Sequence, residues 1–344
     1  MYQTITTSAP AKLILCGEHA VVYGRPAIAL PLAGIRARVA LSDGPPSSGV
    51  VVEARDLQRR WALGDTPDDP LSQLAADLLA RFGLGTDPDL LLTIESDIPI
   101  ASGMGSGAAV ASALVRALAR RFGHEPTPAQ VSDLVFQSER RLHGTPSGID
   151  NTVIAFEQPI WFVRAAPNRA SSDILNTSDQ TDNTAPGTQH ATLNTQNSIA
   201  PLAIGASFRL LVGDTGVRSA THEPVGAVRR GWQADPARYE ALFDAVAGVA
   251  GRVRALLAAG DVAALGPLLD ENHALLQQIG VSSPELDRLV VAARGGGALG
   301  AKLSGAGWGG VMLALVTEQT SAAVGQALRE AGAVRVLETE VGAG

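Results

Sequence analysis

Pro99-Ile-Ala-Ser-Gly-Met-Gly-Ser-Gly-Ala-Ala109 follows an apolar run at 90–96 and leads into a stretch with apolar residues at Val110, Ala113, Leu114, Ala117 and Leu118. The run reads as a strand, and the helical spacing after it predicts a helix over 106–122. Glycines let successive backbone N–H groups converge, and a helix start adds positive potential, so a loop of this kind suits a polyphosphate. No Gly-Lys-Ser/Thr follows, which excludes a Walker A motif. The spacing of Gly103, Gly105 and Gly107 also departs from the dinucleotide GxGxxG pattern. Taken alone, the loop is explained equally well as a small-residue helix entry that permits close packing. Ser106 is either an N-cap or a metal-binding hydroxyl.

Outward from this loop, strands are expected at about 3–7, 12–16, 27–41 and 48–53, and an amphipathic helix at 71–82. Thr127-Pro128 marks the start of a helix over 128–142, and 152–156 with 160–164 suggest a hairpin around Glu157-Gln158-Pro159. From 166 to 200 the chain turns to Asn, Thr, Ser, Gln and Asp, a composition that buries too little surface to offset its ordering entropy. It reads as a flexible surface insertion close to a domain boundary, dividing the chain at 1–200 and 201–344. Beyond it, a strand at 207–213 precedes helices at about 221–233, 236–259, 261–279 and 283–294. A strand at 309–316, a helix at 320–331 and a strand at 333–340 complete the pattern.

The chain has 344 residues, enough for about two domains with real cores. Its net charge is −7, and of its 27 basic residues only Lys12 and Lys302 are lysines. The arginines are scattered, which argues against a nucleic-acid binder. Cys16 is the single cysteine, which leaves no intrachain disulfide or cysteine-based zinc cluster. No HExxH pair occurs among the six histidines. The N-terminal apolar stretch lacks a basic leader and is broken by Gly17-Glu18-His19, so it does not read as a signal peptide. Residues 98–115 are uncharged but too rich in Gly, Ala and Ser for a membrane span. The expectation is a soluble, cytoplasmic protein of α/β or α+β class.

Four further segments stand out, and in two of them a charged residue, Glu139 or Lys12, lies among apolar ones. Glu139 shares the stripe of Val131, Val135 and Leu142 on the 128–142 helix, and an unpaired carboxylate there costs several kcal/mol. A metal would satisfy it; so would Arg140, Arg141 or exposure at an edge. His143-Gly-Thr-Pro-Ser-Gly-Ile-Asp150-Asn151 delivers an aspartate from a turn, the usual place for an Asx-turn former. In Ala9-Pro-Ala-Lys12-Leu-Ile-Leu-Cys16-Gly-Glu18-His19, Lys12 heads an apolar strand, either snorkelling or aimed as a fixed charge at a site. Gly300-Ala-Lys302-Leu-Ser-Gly-Ala-Gly-Trp308-Gly-Gly310 is a third glycine-rich turn.

In order and spacing, 9–24, 99–110, 139–151 and 300–310 resemble the signatures of the GHMP kinases, and the resemblance covers nearly the whole chain except the polar insertion. Within that superfamily, 9–24, Glu139 to Asn151 and Gly213-Asp-Thr-Gly216 look like the mevalonate kinases. The resemblance implies a two-domain α+β fold, with a ribosomal-protein-S5-like N-terminal domain, a ferredoxin-like C-terminal domain and the active site between them. It implies ATP and mevalonate as substrates, phosphorylated at the 5-hydroxyl, with Mg²⁺ held by Ser106 and Glu139. The backbone of Ala101, Ser102, Gly103, Met104, Gly105, Ser106 and Gly107 would bind the ATP phosphates. Asp150 would take or orient the hydroxyl proton, Lys12 would support it, and Glu18, His19 and Thr215 would lie on the substrate side. Homodimers are common among the resembled kinases.

Two departures stand out: Gly107 leaves one hydroxyl where the family often has two serines, and Trp308 interrupts the third glycine motif. That indole either narrows the phosphate cleft or points away from it. Cys16 and Lys302 are expected to be structural. Another GHMP enzyme, such as a phosphomevalonate kinase or a diphosphomevalonate decarboxylase, and a non-catalytic nucleotide-binding regulator are the competing readings.

Overall fold

Strand β1 (Ile5–Cys16) is buried without interruption from Ala9 onward, the pattern of a strand covered on both faces. It pairs antiparallel with β2 (Pro26–Asp43), from Ile5 opposite Leu41 to Cys16 opposite Ile28. The two runs expected at 3–7 and 12–16 are thus one strand. Pro10 sits where the register shifts, so the missing N–H disturbs the pairing without ending it. The eighteen residues of β2 serve three neighbours: β1 along most of its length, β5 (Leu90–Ser96) through Ala37–Asp43, and β6 (Ile160–Val163) through Pro26–Ala29. With β3 (Val50–Ala54), β4 (Arg59–Ala62) and β7 (Ser198–Pro201), the sheet runs β4-β3-β5-β2-β6-β7, with β1 also on β2.

The computed structural model describes residues 4–83, 88–143, 147–164, 197–219 and 222–342. Nearly all of the polar stretch at 166–200 lies outside these residues, and β7 falls at its end. Helix α1 (Pro70–Arg81) is capped by Asp69, whose carboxylate accepts the N–H of Ser72. Helix α2 (Ser106–Arg121) lays an Ala, Leu and Val face on β1 and β2, and α1 and α3 (Pro128–His143) pack on it.

The hairpin expected at 152–156 is instead helix α4 (Ile149–Phe156). The left-handed Gly148 turns the chain into it, and Thr152 Oγ1 donates back to the Gly148 carbonyl at 2.7 Å. Its apolar residues are buried on every side, and a short run of that kind reads alike for strand and helix.

The second sheet is antiparallel, in the order β11-β8-β10-β9, from β8 (Phe208–Asp214), β9 (Gly300–Ser304), β10 (Val311–Val316) and β11 (Arg335–Val341). The fourth strand lies beside the first and the third between first and second, the arrangement of a split βαβ, ferredoxin-like unit. The first crossover carries α5 (His222–Ala234), α6 (Pro236–Ala259), α7 (Leu265–Ile279) and α8 (Pro284–Gly295); the second carries α9 (Glu318–Glu330). Residues 300–304, read from sequence as part of a turn, are strand β9. No described helix is long and apolar enough to cross a membrane.

Candidate active site

The loop between β5 and α2 is folded on itself by Ser102, whose hydroxyl donates to the Pro99 carbonyl at 2.7 Å. Met104 is fully buried and its carbonyl accepts the backbone N–H of Lys12 at 3.0 Å, which fastens the loop to β1. Gly105, not Ser106, is the N-cap of α2, and no side chain caps this end. The first N–H groups of α2 are therefore left for a ligand, as an anion site requires. Gly105 has φ +76, and a Cβ there would lie 2.8 Å from Ile154 Cδ1 and 3.1 Å from Lys12 Cγ. The turn after β9 closes over the loop from the other side: a Cβ on Gly310 would stand 2.9 Å from the Ser102 carbonyl oxygen.

Beneath the open helix end, Lys12 Nζ lies 2.9 Å from Asp150 Oδ1. The lysine side chain is 5 % exposed and the aspartate 32 %, so the carboxylate is the end of the pair that solvent or a ligand can reach. Asp150 stands in the first turn of α4, next to Asn151, whose amide donates to Ser132 O at 3.1 Å and Ser132 Oγ at 2.8 Å. That clamp fixes α4 against α3, the helix that bears Glu139. Glu139 is half-buried, and burial, reinforced by the Asp150 charge and opposed by Lys12, pushes its carboxyl up to about 8. Lys12 thus touches Asp150 and acts on Glu139 through space. The side chains of Leu142 and His143, and residues 144–146, lie outside the described residues.

The remaining expected residues gather where β1 meets the second sheet. Glu18 is 1 % exposed and forms an ion pair with Lys302, itself fully buried, so its carboxylate faces β9 rather than open cleft. His19 has φ +59, and its Nε2–H donates to the Ala306 carbonyl at 2.9 Å. Thr215 Oγ1 donates to Gly310 O at 2.8 Å and accepts the Val217 N–H at 3.2 Å, which seats it against the third glycine segment. Beside it Asp214 holds Arg218 through two bonds, at 2.6 and 2.8 Å, an arginine the sequence reading did not single out. The Trp308 indole N–H donates to Gly280 O at 2.9 Å, so the ring lies over the turn that ends α7. Cys16 is fully buried, and burial drives its thiol up to about 12.

Burial pushes His19 down to about 4, and it does the same to His273, despite Asp287 beside the latter. Both are neutral in the folded protein while the unfolded chain protonates them below about pH 6.5. The unfolded state therefore gains protons first as pH falls, and stability is lost progressively from about pH 6.5 to about pH 4. Glu139 acts in the opposite sense, because its raised carboxyl binds a proton in the folded state first, so the histidines are read individually. Imidazole NMR titration of the folded protein should find both still neutral at about pH 5.5, and titration of either near its ordinary value of about 6.5 would contradict this assignment.

The model of the GHMP kinases N terminal domain matches residues 71–158, and that of the GHMP kinases C terminal domain matches 253–334. Mevalonate kinase of Thermococcus sibiricus is 31% identical, over 97% of this chain and 95% of its own. That of Pyrococcus horikoshii is 30% identical over 92% and 89%. In structure, L. major mevalonate kinase in complex with R-mevalonate superposes with a TM-score of 0.80 at 27% identity, covering 99% of this chain and 97% of that one. With both family models matched in order and these relatives aligned nearly end to end, the chain belongs to the GHMP kinases, in the mevalonate kinase family.

Proposed function

We propose that the protein transfers the γ-phosphoryl group of ATP to the 5-hydroxyl of (R)-mevalonate, with lobes at 1–200 and 201–344 flanking the site. The observation that carries this reading is the Lys12–Asp150 pair at the foot of an uncapped helix N-terminus. Such transfer demands positioning and charge neutralisation more than covalent work by the protein. The backbone of 101–107 and the first turn of α2 receive the phosphates. Asp150 accepts the hydroxyl proton as the alcohol oxygen bonds to phosphorus and the bond to the ADP oxygen breaks. Lys12 holds Asp150 in place through their 2.9 Å contact and meets the charge growing on the transferring group. His19 and Thr215 line the substrate side.

A cavity of about 780 Å³, lined by residues of β3, α1 and α3 including Ala76, Asp77 and Arg141, has room for the base and ribose.

A magnesium ion fits the residues present. Glu139, Asp150 and the Ser106 hydroxyl are hard oxygen donors, and the Glu139 carboxyl, raised chiefly by burial and further by the Asp150 charge, is a group whose ionised form a divalent cation would favour. Glu139 and Ser106 would hold it. When bound it would screen the phosphate charges and fix their orientation. Replacement of Glu139 by Gln should raise the magnesium concentration for half-maximal rate by about ten-fold or more. An unchanged magnesium dependence would take Glu139 out of this role.

ADP release measured with mevalonate, phosphomevalonate, galactose and homoserine tests the substrate assignment. Turnover is expected with mevalonate. Preference for phosphomevalonate would instead assign the neighbouring reaction, and no turnover of any alcohol by folded protein would support the regulator.

A further inference from the structure

Two lysines among 27 basic residues is a strong bias, and both lysines are buried in ion pairs: Lys12 with Asp150, and Lys302 with Glu18. The first pair lies within the N-terminal lobe and the second joins the lobes. Alternate residues from Lys302 all reach β1 or the turn after it. Lys302 Nζ meets Glu18. Ser304 Oγ donates to Ile14 O at 3.0 Å and accepts the Ile14 N–H at 3.1 Å. The Ala306 carbonyl takes the proton of His19. Lys302 Nζ also donates to Leu303 O at 2.5 Å, and the Leu303 N–H is held by His273 Nδ1 at 3.3 Å, so the ammonium stands on an anchored strand.

We propose that Lys302 is a positioning residue for phosphoryl transfer: its pair with Glu18 holds the Gly17–His19 turn, and through β1 Lys12, in register with the third glycine-rich segment. This rests on the reading of Lys12 and Asp150 as the reacting pair. The turn is one the chain does not adopt freely, since His19 is a non-glycine residue in the left-handed region and needs outside contacts to stay there. Glu18 supplies one, four residues from the point where Ser304 grips β1. Glu18 also feels the Lys12 charge through space. A guanidinium is wider and planar, and a fully buried position beside Cys16 does not admit it, which accounts for a lysine in a chain that elsewhere uses arginine.

A single substitution here would strand a buried charge and destabilise the protein for that reason alone, whereas removing both charges is often neutral. The test is therefore the double variant Glu18→Leu with Lys302→Met. Protein labelled with ¹³Cε-lysine carries two lysine signals, assigned in the wild type by the loss of one in Lys12→Met; the double variant keeps only Lys12. We expect it to fold with an unfolding temperature no lower than wild type and with the Lys12 signal displaced. We also expect kcat with mevalonate reduced about 10- to 100-fold, and KM for ATP changed by no more than about two-fold. A Lys12 signal left in place, or wild-type kcat in the folded double variant, overturns the proposal. Failure of the double variant to fold overturns it too, because the pair is then a folding element. Should wild type not phosphorylate mevalonate, the functional reading falls, and the Lys12 signal alone decides whether Lys302 positions it.

Discussion

Asp150→Asn should lower kcat by about two to four orders of magnitude while leaving the fold in place. Asparagine keeps the size of the side chain and can still accept a hydrogen bond from Lys12, so the 2.9 Å contact persists as a weaker, neutral one. What disappears is the charge that takes the proton of the attacking alcohol. α4 is fixed independently, by Thr152 on the Gly148 carbonyl and by Asn151 on Ser132, so the substitution does not release it. The KM values should change little, because the carboxylate contributes chiefly to the transition state rather than to substrate binding. Steady-state kinetics with a thermal melt of the same preparation checks this. Near-wild-type turnover would remove Asp150 from the mechanism.

Gly105→Ala should be nearly as damaging, for steric reasons. At φ +76 an alanine costs about 1–2 kcal/mol in backbone strain. Its methyl would also stand 2.8 Å from Ile154 Cδ1 and 3.1 Å from Lys12 Cγ. Ile154 Cδ1 is the end of a side chain and can turn aside, but relief at Lys12 has to shift the stem of the lysine that pairs with Asp150 or the phosphate loop itself. Misplacement by about 1 Å is enough for a loss of about 100-fold in kcat/KM. Gly248→Ala is the control: it is exposed in the middle of α6 with open space around its Cβ, and it should leave kcat unchanged and stabilise the helix slightly. Equal kinetics for the two variants would show that the closeness of Gly105 to Lys12 has no part in catalysis.

Most of the fold was legible because its elements carry strong local signals. Asp235 and Ser283, each a cap followed by proline, mark the helix starts expected at 236 and 283, and the structure keeps both, whereas the helix expected from 261 begins at Leu265. Segment 149–156 was not legible, because a short run buried at all but Asp150 and Phe156 has no periodicity to distinguish helix from strand. Strand β9 was hidden for a related reason: Gly300, Lys302 and Ser304 look like turn residues, and only the β10 and β1 partners make them a strand. At the site, Lys12 and Glu139 could be picked out as polar groups in unusual places and Asp150 only through the family resemblance, and their common location depends on the packing of α3 on α4 and of α4 on β1. Lys302 could not be read from its own neighbourhood. The rarity of lysine was the available signal, and its meaning appeared only once Glu18, 284 residues away, was found beside it.

The central claim is that this chain joins the γ-phosphoryl group of ATP to the 5-oxygen of mevalonate. Phosphorus and carbon NMR of one mixture, holding the enzyme, magnesium, ATP and ¹³C5-mevalonate, tests it most directly. The expected result is a new phosphomonoester signal coupled to C5, growing in step with ADP and absent when Asp150→Asn replaces the wild type over the same interval. Mevalonate left unmodified by folded enzyme, with ATP intact or merely hydrolysed to free phosphate, would contradict it.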